Sequence, residues 1–393
     1  MKKLKILIFS SSFLPKAGGL QYELKWYLDT LDRWTEQALD YEFSFVYPGV
    51  EAAPYSQFKN IESFGLNFDE YSNGSRFATL SAILRLRRVI KSVRPDVVHC
   101  NAVLPDAGWV YLATLGLRNH PKLVVTSHGQ DLVRLPEFNY GTRLNRSLNR
   151  MIKFVAKRVH KHVLPSQALG EYADEIHSDR DRVVVIPNGI PLRDEPDFEA
   201  EATGTEITSG LVANEGLRYL SLSSGRPIKN LQVLVDAFAK ERDFLGDSRL
   251  VLACDGPSAG HIRDKVNDLG ITDQVDFIGE VRGSEKQEVF EAADIYCQVS
   301  HFENCPVSLL EAMKFKAAII ASDVGGVPEL VTDEVNGLLV DQKNVESVRR
   351  ALRRVYEDVT LRQSLVENGQ ERVDNYSMIQ TVKRYTEVYR SVV

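Results

Sequence analysis

The stretch DIYCQVSHFENCPVSLLEAM, residues 294–313, contains the pattern on which the fold assignment depends. It opens with an apolar run, Asp294–Val299, that is typical of a buried strand, and it then continues into a polar loop. Pro306 suits the first turn of a following helix, where its missing N–H costs nothing. This one stretch therefore predicts a strand, a loop and a helix in direct succession.

Strand and helix signals of this kind alternate along the whole chain. Each predicted strand is rich in β-branched residues and is followed by a Gly, Pro or polar loop and then a helical period. In the first half the predicted strands are Lys5–Phe9, Phe43–Tyr47, Asp96–His99, Leu123–Thr126, His162–Leu164 and Val183–Ile186. In the second half they are Leu217–Ser221, Arg249–Ala253, Val275–Ile278, Asp294–Val299 and Ala318–Ala321, and helices are predicted over Leu231–Lys240 and Ser284–Ala292. Alternating strands and helices predict mostly parallel sheets.

The series occurs twice, so we predict an α/β protein made of two Rossmann-like domains that face each other across a cleft. The first domain is expected over residues 1–190 and the second over 216–375, with a linker and surface loop at 191–215. A last helix at 376–393 is expected to pack back on the first domain. Ligands of open α/β sheets bind beyond the carboxyl ends of the strands, and most glycine-rich and polar loops of this chain fall there.

Composition is typical of a soluble globular protein, with 44% hydrophobic and 26% charged residues. No stretch approaches the roughly 20 apolar residues of a membrane span, and the apolar run near the N-terminus is too short for a signal peptide. The four cysteines (Cys100, Cys254, Cys297 and Cys305) show no metal-binding spacing, which favours free thiols in a reducing compartment. We therefore expect a cytoplasmic protein.

Charge is distributed unevenly along the chain. Residues 1–190 carry 25 Lys and Arg against 19 Asp and Glu, whereas the remainder carries 23 against 35, which fits two domains with different partners. Between Tyr140 and Gly170 there are seven cations and no acidic residue, and Met151, Ile152, Phe154 and Val155 interleave with the cations. The cations are Arg143, Arg146, Arg150, Lys153, Lys157, Arg158 and Lys161, and a second acid-free set is Arg85, Arg87, Arg88, Lys91 and Arg94. The pattern predicts peripheral binding to an anionic membrane; the alternative is a solvated helix packed on the domain core.

Glu303 and Glu311 are the strongest candidate site residues. Glu303 lies in the loop after a predicted strand, and the free N–H groups of the next helix, near Pro306, point into the same crevice as a phosphate site. Glu311, over one turn further on, is placed to accept hydrogen bonds from ribose hydroxyls. The spacing alone also fits a solvated surface helix with two unrelated glutamates.

Two glycine-containing loops in the second half add further candidates. Arg226 and Lys229 can hold a diphosphate, Arg as a fork and Lys as a point charge, although a basic turn that caps a helix has the same pattern. The pair Gly325-Gly326 allows close backbone approach to a ligand, or alternatively a plain tight turn.

The first half offers one candidate and two exclusions. His128 follows a predicted strand, where either a ligand contact or a core histidine is possible. The loop Lys16–Gly19 lacks the G-x-G-x-x-G spacing, which argues against NAD or FAD. Asp179 and Asp181 have the D-x-D spacing of metal-dependent transferases, but they precede a strand, so a solvated turn is favoured and no metal site is predicted.

These residues resemble the retaining glycosyltransferases of the GT-B fold that are called glycosyl transferases group 1. The resemblance covers essentially the whole chain and keeps the family's order, and the E-x7-E pair is specific in this context. The matching residues are Gly18-Gly19, the run ending at His99, His128-Gly129, 187–189, Arg226 with Lys229, 255–257, Val275 with Phe277 and Gly279, Glu303 with Glu311, and 325–329.

The resemblance implies a role for each candidate. Arg226 and Lys229 would neutralise the donor diphosphate, although the interval between them is shorter than the family's usual spacing. Glu303 would contact hydroxyls of the donor sugar, Glu311 the ribose, and His128 would lie beside the transferred sugar. The backbone would face sugar or phosphate at Gly18, Gly19, Asn304, Cys305, Pro306 and Val307.

The activity implied is metal-independent transfer of a hexose-type sugar, with retention, from a UDP-sugar to a saccharide or lipid-linked saccharide. The nucleotide-sugar is then a substrate, so no cofactor is expected, and no nucleic-acid partner. Two alternatives stay open at this point. One is a nucleotide-sugar epimerase of the same architecture, and the other is an inactive paralogue that only binds nucleotide-sugar.

Overall fold

The structure is a computed structural model that describes residues 3–13, 19–35, 40–49, 58–66, 76–192, 216–223, 225–254 and 258–393. The chain divides into two compact units. The first unit combines Met1–Gly189 with Met378–Val393, and the second is the continuous stretch Ile190–Ser377. The C-terminal segment is therefore part of the first unit.

The first unit contains a seven-stranded parallel sheet. Its strands are β1 Leu4–Phe9, β2 Tyr41–Pro48, β3 Ile61–Leu66, β4 Val97–Cys100, β5 Lys122–Thr126, β6 Lys161–Leu164 and β7 Val183–Val185. They lie in the order β3-β2-β1-β4-β5-β6-β7. Because the strand order reverses between β1 and β4, the carboxyl ends of these two neighbours form the switch point at which α/β sheets bind ligands.

Helices connect these strands. They are α1 Gly19–Trp34, α2 Arg76–Val93, α3 Gly108–Thr114, α4 Arg146–Ala156 and α5 Gly170–Asp174, with short helical turns at Val103–Ala107, Pro136–Phe138, Thr142–Leu144, Gln167–Leu169 and Arg180–Arg182. Asn145 caps α4, since its side-chain oxygen accepts hydrogen bonds from the N–H groups of Ser147 at 2.9 Å and Leu148 at 3.1 Å.

The structure corrects part of the predicted basic helix. Arg143 is fully buried, and its guanidinium donates to the carbonyl of Leu132 at 2.9 Å and to Glu175 at 2.5 Å. Ile152 and Val155 are also buried, because the apolar stripe that they form packs on the core of the unit. Burial of Ile152 and Val155 agrees with the alternative of a helix packed on the domain core, whereas burial of Arg143 removes one cation from the predicted basic surface.

The second unit repeats the architecture with six parallel strands. They are β8 Arg218–Ser223, β9 Arg249–Cys254, β10 Val275–Phe277, β11 Ile295–Gln298, β12 Ala318–Ser322 and β13 Leu338–Val340. Their order is β10-β9-β8-β11-β12-β13, so the switch point lies between β8 and β11.

The helices of the second unit follow the same alternation. They are α6 Leu231–Glu241, α7 Ser258–Asp268, α8 Gly283–Glu291, α9 Val307–Lys314, α10 Val327–Leu330, α11 Val345–Glu357 and α12 Val359–Val373. Short helical turns lie at Pro227–Lys229 and Asp374–Tyr376. The last helix, α13 Met378–Ser391, belongs to the first unit. Leu234, Val235 and Phe238 recur at helical spacing on α6 and pack into the core cluster beneath the sheet.

A buried hydrogen-bonded network holds α13 on the first unit. The hydroxyl of Tyr389 lies 2.8 Å from that of Tyr27 in α1 and 2.7 Å from Nδ1 of His99. The hydroxyl of Tyr385 lies 2.9 Å from Thr126, whose oxygen is 2.8 Å from Nε2 of His99. Burial lowers the pKa of His99 to about 3, so its imidazole is neutral at pH 7 and satisfied inside the core.

The predicted α/β class with two parallel-sheet domains is confirmed, and every predicted strand lies within about two residues of an observed one. The sequence pattern does not predict β3 and β13. Both are edge strands, with a neighbour on one side only. β3 contains Glu62, Ser63 and Gly65, and β13 has three residues, so neither carries a long apolar run.

Several features named from the sequence lie outside the described residues. They are Lys16–Gly18 of the first glycine loop, residues 193–215 of the predicted linker, and 255–257.

Candidate active site

The site in the second unit lies where the neighbouring strands β8 and β11 end. After β8 the chain passes Arg226 and enters the turn Pro227–Lys229, and after β11 it passes Ser300 and Glu303 toward α9. The N–H of His301 donates to the carbonyl of Ile228 at 2.8 Å, which fixes one loop against the other. The topology therefore brings the predicted basic loop and the predicted glutamate loop together.

The carboxylate of Glu303 is the centre of this site. One of its oxygens, Oε1, accepts three hydrogen bonds: from Nζ of Lys229 at 2.6 Å, from Nε2 of Gln298 at 2.8 Å and from Oγ of Ser300 at 2.6 Å. The residue is 8% exposed. Its other oxygen, Oε2, accepts no hydrogen bond from any residue that the structure describes. The side chain is thus held rigidly by one oxygen while the second is left for a ligand.

The predicted glycine pair supports the backbone of the same loop. The N–H of Gly326 donates to the carbonyl of Glu303 at 3.1 Å. Gly325 has φ +52°, and a Cβ at that position would lie 2.0 Å from the same carbonyl oxygen, so only glycine fits. Gly325 and Gly326 therefore position Glu303, a role more specific than the plain tight turn considered from sequence.

Glu311 forms a buried ion pair that the sequence pattern did not reveal. Its Oε1 contacts Nζ of Lys286, in α8; Glu311 is 5% exposed and Lys286 is 6% exposed. Burying two charges is tolerated only when they are well paired, so Lys286 fixes the position of the Glu311 carboxylate. A signal was present, since Lys286, Val289 and Phe290 share one face of α8 and the other two are core residues.

The remaining predicted residues of the second unit lie on these same loops. Arg226 is exposed, directly before the turn that carries Lys229. Asn304, Cys305 and Pro306 lead into α9, whose first residue is Val307, so Pro306 precedes the helix by one position. The first N–H groups of α9 have no intrahelical acceptor, and with the helix dipole they make its start favourable for an anion.

In the first unit, His128 lies just after β5, as expected. Its Nδ1 is 4.0 Å from a carboxylate oxygen of Glu23 in α1. Its Nε2 is buried and has no hydrogen-bond partner in the part of the chain that the structure describes. Burial lowers the pKa of His128 to about 4, so the imidazole is neutral at pH 7. Gly19 is the first residue of α1.

A Ser-His-Asp set anchors the loop that carries His128. The hydroxyl of Ser127 donates to Asp131 at 2.6 Å and lies 2.7 Å from Nε2 of His162, whose Nδ1 lies 2.7 Å from His177. Ser127 and His162 are 0% exposed. Because no substrate reaches a nucleophile at that depth, this set is structural.

The D-x-D sequence forms a turn. The carboxylate of Asp179 accepts hydrogen bonds from the N–H of Asp181 at 3.1 Å and from Arg182 at 3.2 Å. The carbonyl of Asp181 accepts a hydrogen bond from Lys161 at 2.5 Å. Both aspartates are exposed and lie before β7, away from the carboxyl ends of the strands.

Family comparisons agree with this architecture. The model of glycosyl transferases group 1 matches residues 206–372, and that of glycosyltransferase family 4 matches residues 34–194. Over 366 residues the chain is 32% identical to a D-inositol 3-phosphate glycosyltransferase of Actinosynnema mirum, with 87% of this chain and 84% of the relative covered. Over 314 residues it is 26% identical to an N-acetyl-alpha-D-glucosaminyl L-malate synthase of Bacillus anthracis, with 80% and 79% covered.

Among solved structures, Anabaena HepE in complex with UDP-glucose is similar in fold. The TM-score is 0.75 at 17% identity, and 99% of this chain and all of that one are covered. Both parallel-sheet units, the two family matches and the relative from Actinosynnema mirum lead to one assignment: the chain belongs to the group 1 glycosyltransferases, of GT-B fold.

Proposed function

We propose that the protein transfers a hexose-type sugar, with retention at the anomeric carbon, from a UDP-sugar to a saccharide or lipid-linked saccharide. The observation that carries the proposal is the carboxylate of Glu303, which is fixed through Oε1 and leaves Oε2 for a sugar hydroxyl. Glu311, fixed by Lys286, is the partner for the ribose. The UDP-glucose named with HepE and the transferase and synthase names of the two relatives support the substrate class.

Charge development explains the basic loop. When the bond between the anomeric carbon and the diphosphate breaks, negative charge grows on the leaving diphosphate. Arg226 offers a planar fork to that charge, and Lys229 offers the N–H hydrogens that it does not give to Glu303. The N-terminus of α9 adds backbone N–H groups and the positive end of its dipole. Each preorganised donor of this kind increases the rate of the chemical step about 10²–10³-fold.

We propose that His128, in the first unit, lies beside the transferred sugar. It is neutral at pH 7, and its Nε2 is the buried polar atom that a sugar oxygen would satisfy. Gly19 and the neighbouring Gly18 would bring backbone N–H groups to the substrate.

A screen of nucleotides and nucleotide-sugars by thermal denaturation tests the donor class, because a ligand that binds only the folded state raises the melting temperature. UDP and one UDP-sugar should stabilise the wild-type protein. Arg226→Ala should weaken this effect and lower kcat/KM for transfer by about 10²-fold, since it removes one donor to the diphosphate. Arg350→Ala, at an exposed arginine on α11, is the matched control and should change neither value. Normal kcat/KM in Arg226→Ala would show that Arg226 does not bind the diphosphate. Release of a free epimer in the absence of acceptor would instead indicate an epimerase.

Metal independence follows from the same proposal, because cationic side chains and a helix dipole take the place of a cation at the diphosphate. Transfer should therefore continue in excess EDTA at a rate close to that of the untreated enzyme. Loss of activity in EDTA, with recovery on adding Mn²⁺ or Mg²⁺, would contradict the assignment and direct attention back to Asp179 and Asp181.

We also propose that the first unit binds the inner face of the plasma membrane peripherally. No helix within the described ranges has the length and apolar character needed to cross a bilayer. The surface in question, called here the α2–α4 face, is formed by three helices that contact in sequence. Its exposed apolar side chains are Leu80, Leu84, Leu112, Leu115, Leu148, Met151 and Phe154. Its exposed cations are Arg85, Arg88, Lys91, Arg146, Arg150, Lys153 and Lys157.

Apolar and basic groups together on the α2–α4 face suit binding to an anionic membrane. Each cation near the membrane surface contributes about 1 kcal/mol to the binding free energy. Flotation should show binding to phosphatidylcholine vesicles that contain phosphatidylglycerol, and binding should fall as salt shortens the Debye length. Arg150→Glu with Lys153→Glu should abolish it. The matched control, Lys343→Glu with Arg350→Glu on the second unit, should bind like the wild-type protein. If the wild-type protein fails to float at low salt, the membrane proposal is wrong and the transferase proposal is unaffected.

A further inference from the structure

Glu23 is a buried carboxyl group without a cationic partner among the described residues. It lies in the second turn of α1 and is 5% exposed. Its Oε2 lies 4.0 Å from Nδ1 of His128. The contrast with Glu303 and Glu311 is direct, since each of those carboxylates contacts a lysine.

Among the described residues, the groups that face Glu23 are uncharged at neutral pH. Burial lowers the pKa of His128 to about 4, and that of the adjacent His99 to about 3. The hydroxyls of Tyr27, in α1, and Tyr385, in α13, are also buried, which raises their pKa above the ordinary value. A carboxylate at Glu23 would therefore be an unpaired buried charge, and burial raises the pKa of Glu23 to about 8.

We propose that Glu23 is a positioning residue for His128: the two side chains hold one proton between them, and that proton makes Nε2 of His128 a hydrogen-bond donor to an oxygen of the bound sugar. This inference rests on the proposed function, because it takes the sugar site at His128 as given. It assigns Glu23 no contact with substrate.

The direction of the Nε2 hydrogen bond follows from the tautomers of imidazole. If the proton stays on Glu23, the carboxyl donates to Nδ1, and the neutral ring carries its hydrogen on Nε2. If the proton moves to the ring, both ring nitrogens carry hydrogen. With one proton in the pair, Nε2–H is therefore a donor in either case. When the pair loses that proton, Nδ1–H turns to the carboxylate and Nε2 becomes an acceptor.

The geometry fits a contact that closes on the substrate. A separation of 4.0 Å is within ion-pair range but longer than a hydrogen bond, and catalytic hydrogen bonds commonly shorten when substrate binds. Nε2, on the far side of the ring, is buried without a partner among the described residues, so it is the atom that the pair presents to a ligand.

The test compares pH profiles of kcat/KM for Glu23→Gln and the wild-type enzyme. The pair keeps its proton below about pH 8 and loses it above, so wild-type kcat/KM should fall on the alkaline side. Gln at position 23 has no proton to lose, and its amide can donate to Nδ1 at any pH. This variant should keep pH 7 activity within about threefold and lose the alkaline decline. Glu23→Ala removes the group that selects the tautomer of His128, so this variant should lower kcat/KM about tenfold.

Controls separate this inference from the proposed function. Glu62→Gln, at an exposed carboxyl on β3, should keep the wild-type profile. UDP binding should be unchanged in the Glu23 variants, and ¹⁵N NMR of His128 should show an inflexion near pH 8 in the wild-type protein and none in Glu23→Gln. Identical profiles and histidine titrations in Glu23→Gln and the wild-type enzyme would overturn the role of Glu23 and leave the function standing. No transfer by the wild-type enzyme with any donor would overturn the function itself.

Discussion

The interaction on which the rest of the site depends is the triple hydrogen bond to one oxygen of Glu303. Three donors, from β11, from the loop after it and from the loop after β8, meet at Oε1. A buried carboxylate needs such partners, because an unpaired buried charge costs several kcal/mol. Since the donors come from two neighbouring strands, the site can form only after the parallel sheet has placed β8 beside β11.

The two units share a topology but treat buried carboxyl groups in opposite ways. In the second unit each site glutamate contacts a lysine, an arrangement suited to accepting hydrogen bonds from sugar and ribose hydroxyls. In the first unit the described groups that face Glu23 are neutral at pH 7, so its burial favours the protonated form. The second unit thus pairs its site carboxylates with lysines, whereas the first buries a carboxyl group beside a neutral histidine.

The sequence predicted the fold well because each strand of the sheet interiors carries an apolar run that ends at a turn. The loops after those strands could also be identified, and so Glu303, Lys229, Arg226 and His128 could be named as candidates. Contacts between distant loops could not be read in this way. Lys286 shares a face of α8 with core residues, but its pairing with Glu311, like that of Glu23 with His128, is set by tertiary packing.

The same limit explains the correction in the basic segment. Arg143 and its six neighbouring cations form one uniform run in the sequence. In the structure Arg143 satisfies two carbonyls and two side chains inside the first unit, since a guanidinium is the side chain best able to bridge several buried acceptors. Periodicity could locate the helix, but it could not show which cations face solvent.

The proposed role of Glu303 is to present its free oxygen to the sugar, with no part in binding the nucleotide. Titration calorimetry of UDP, combined with turnover of the UDP-sugar, tests it most directly in Glu303→Gln, which keeps the size of the side chain and removes its charge. This role predicts that UDP affinity stays within a few-fold of the wild-type value while kcat falls by about 10²-fold or more. Loss of UDP affinity in proportion to the loss of turnover would contradict it.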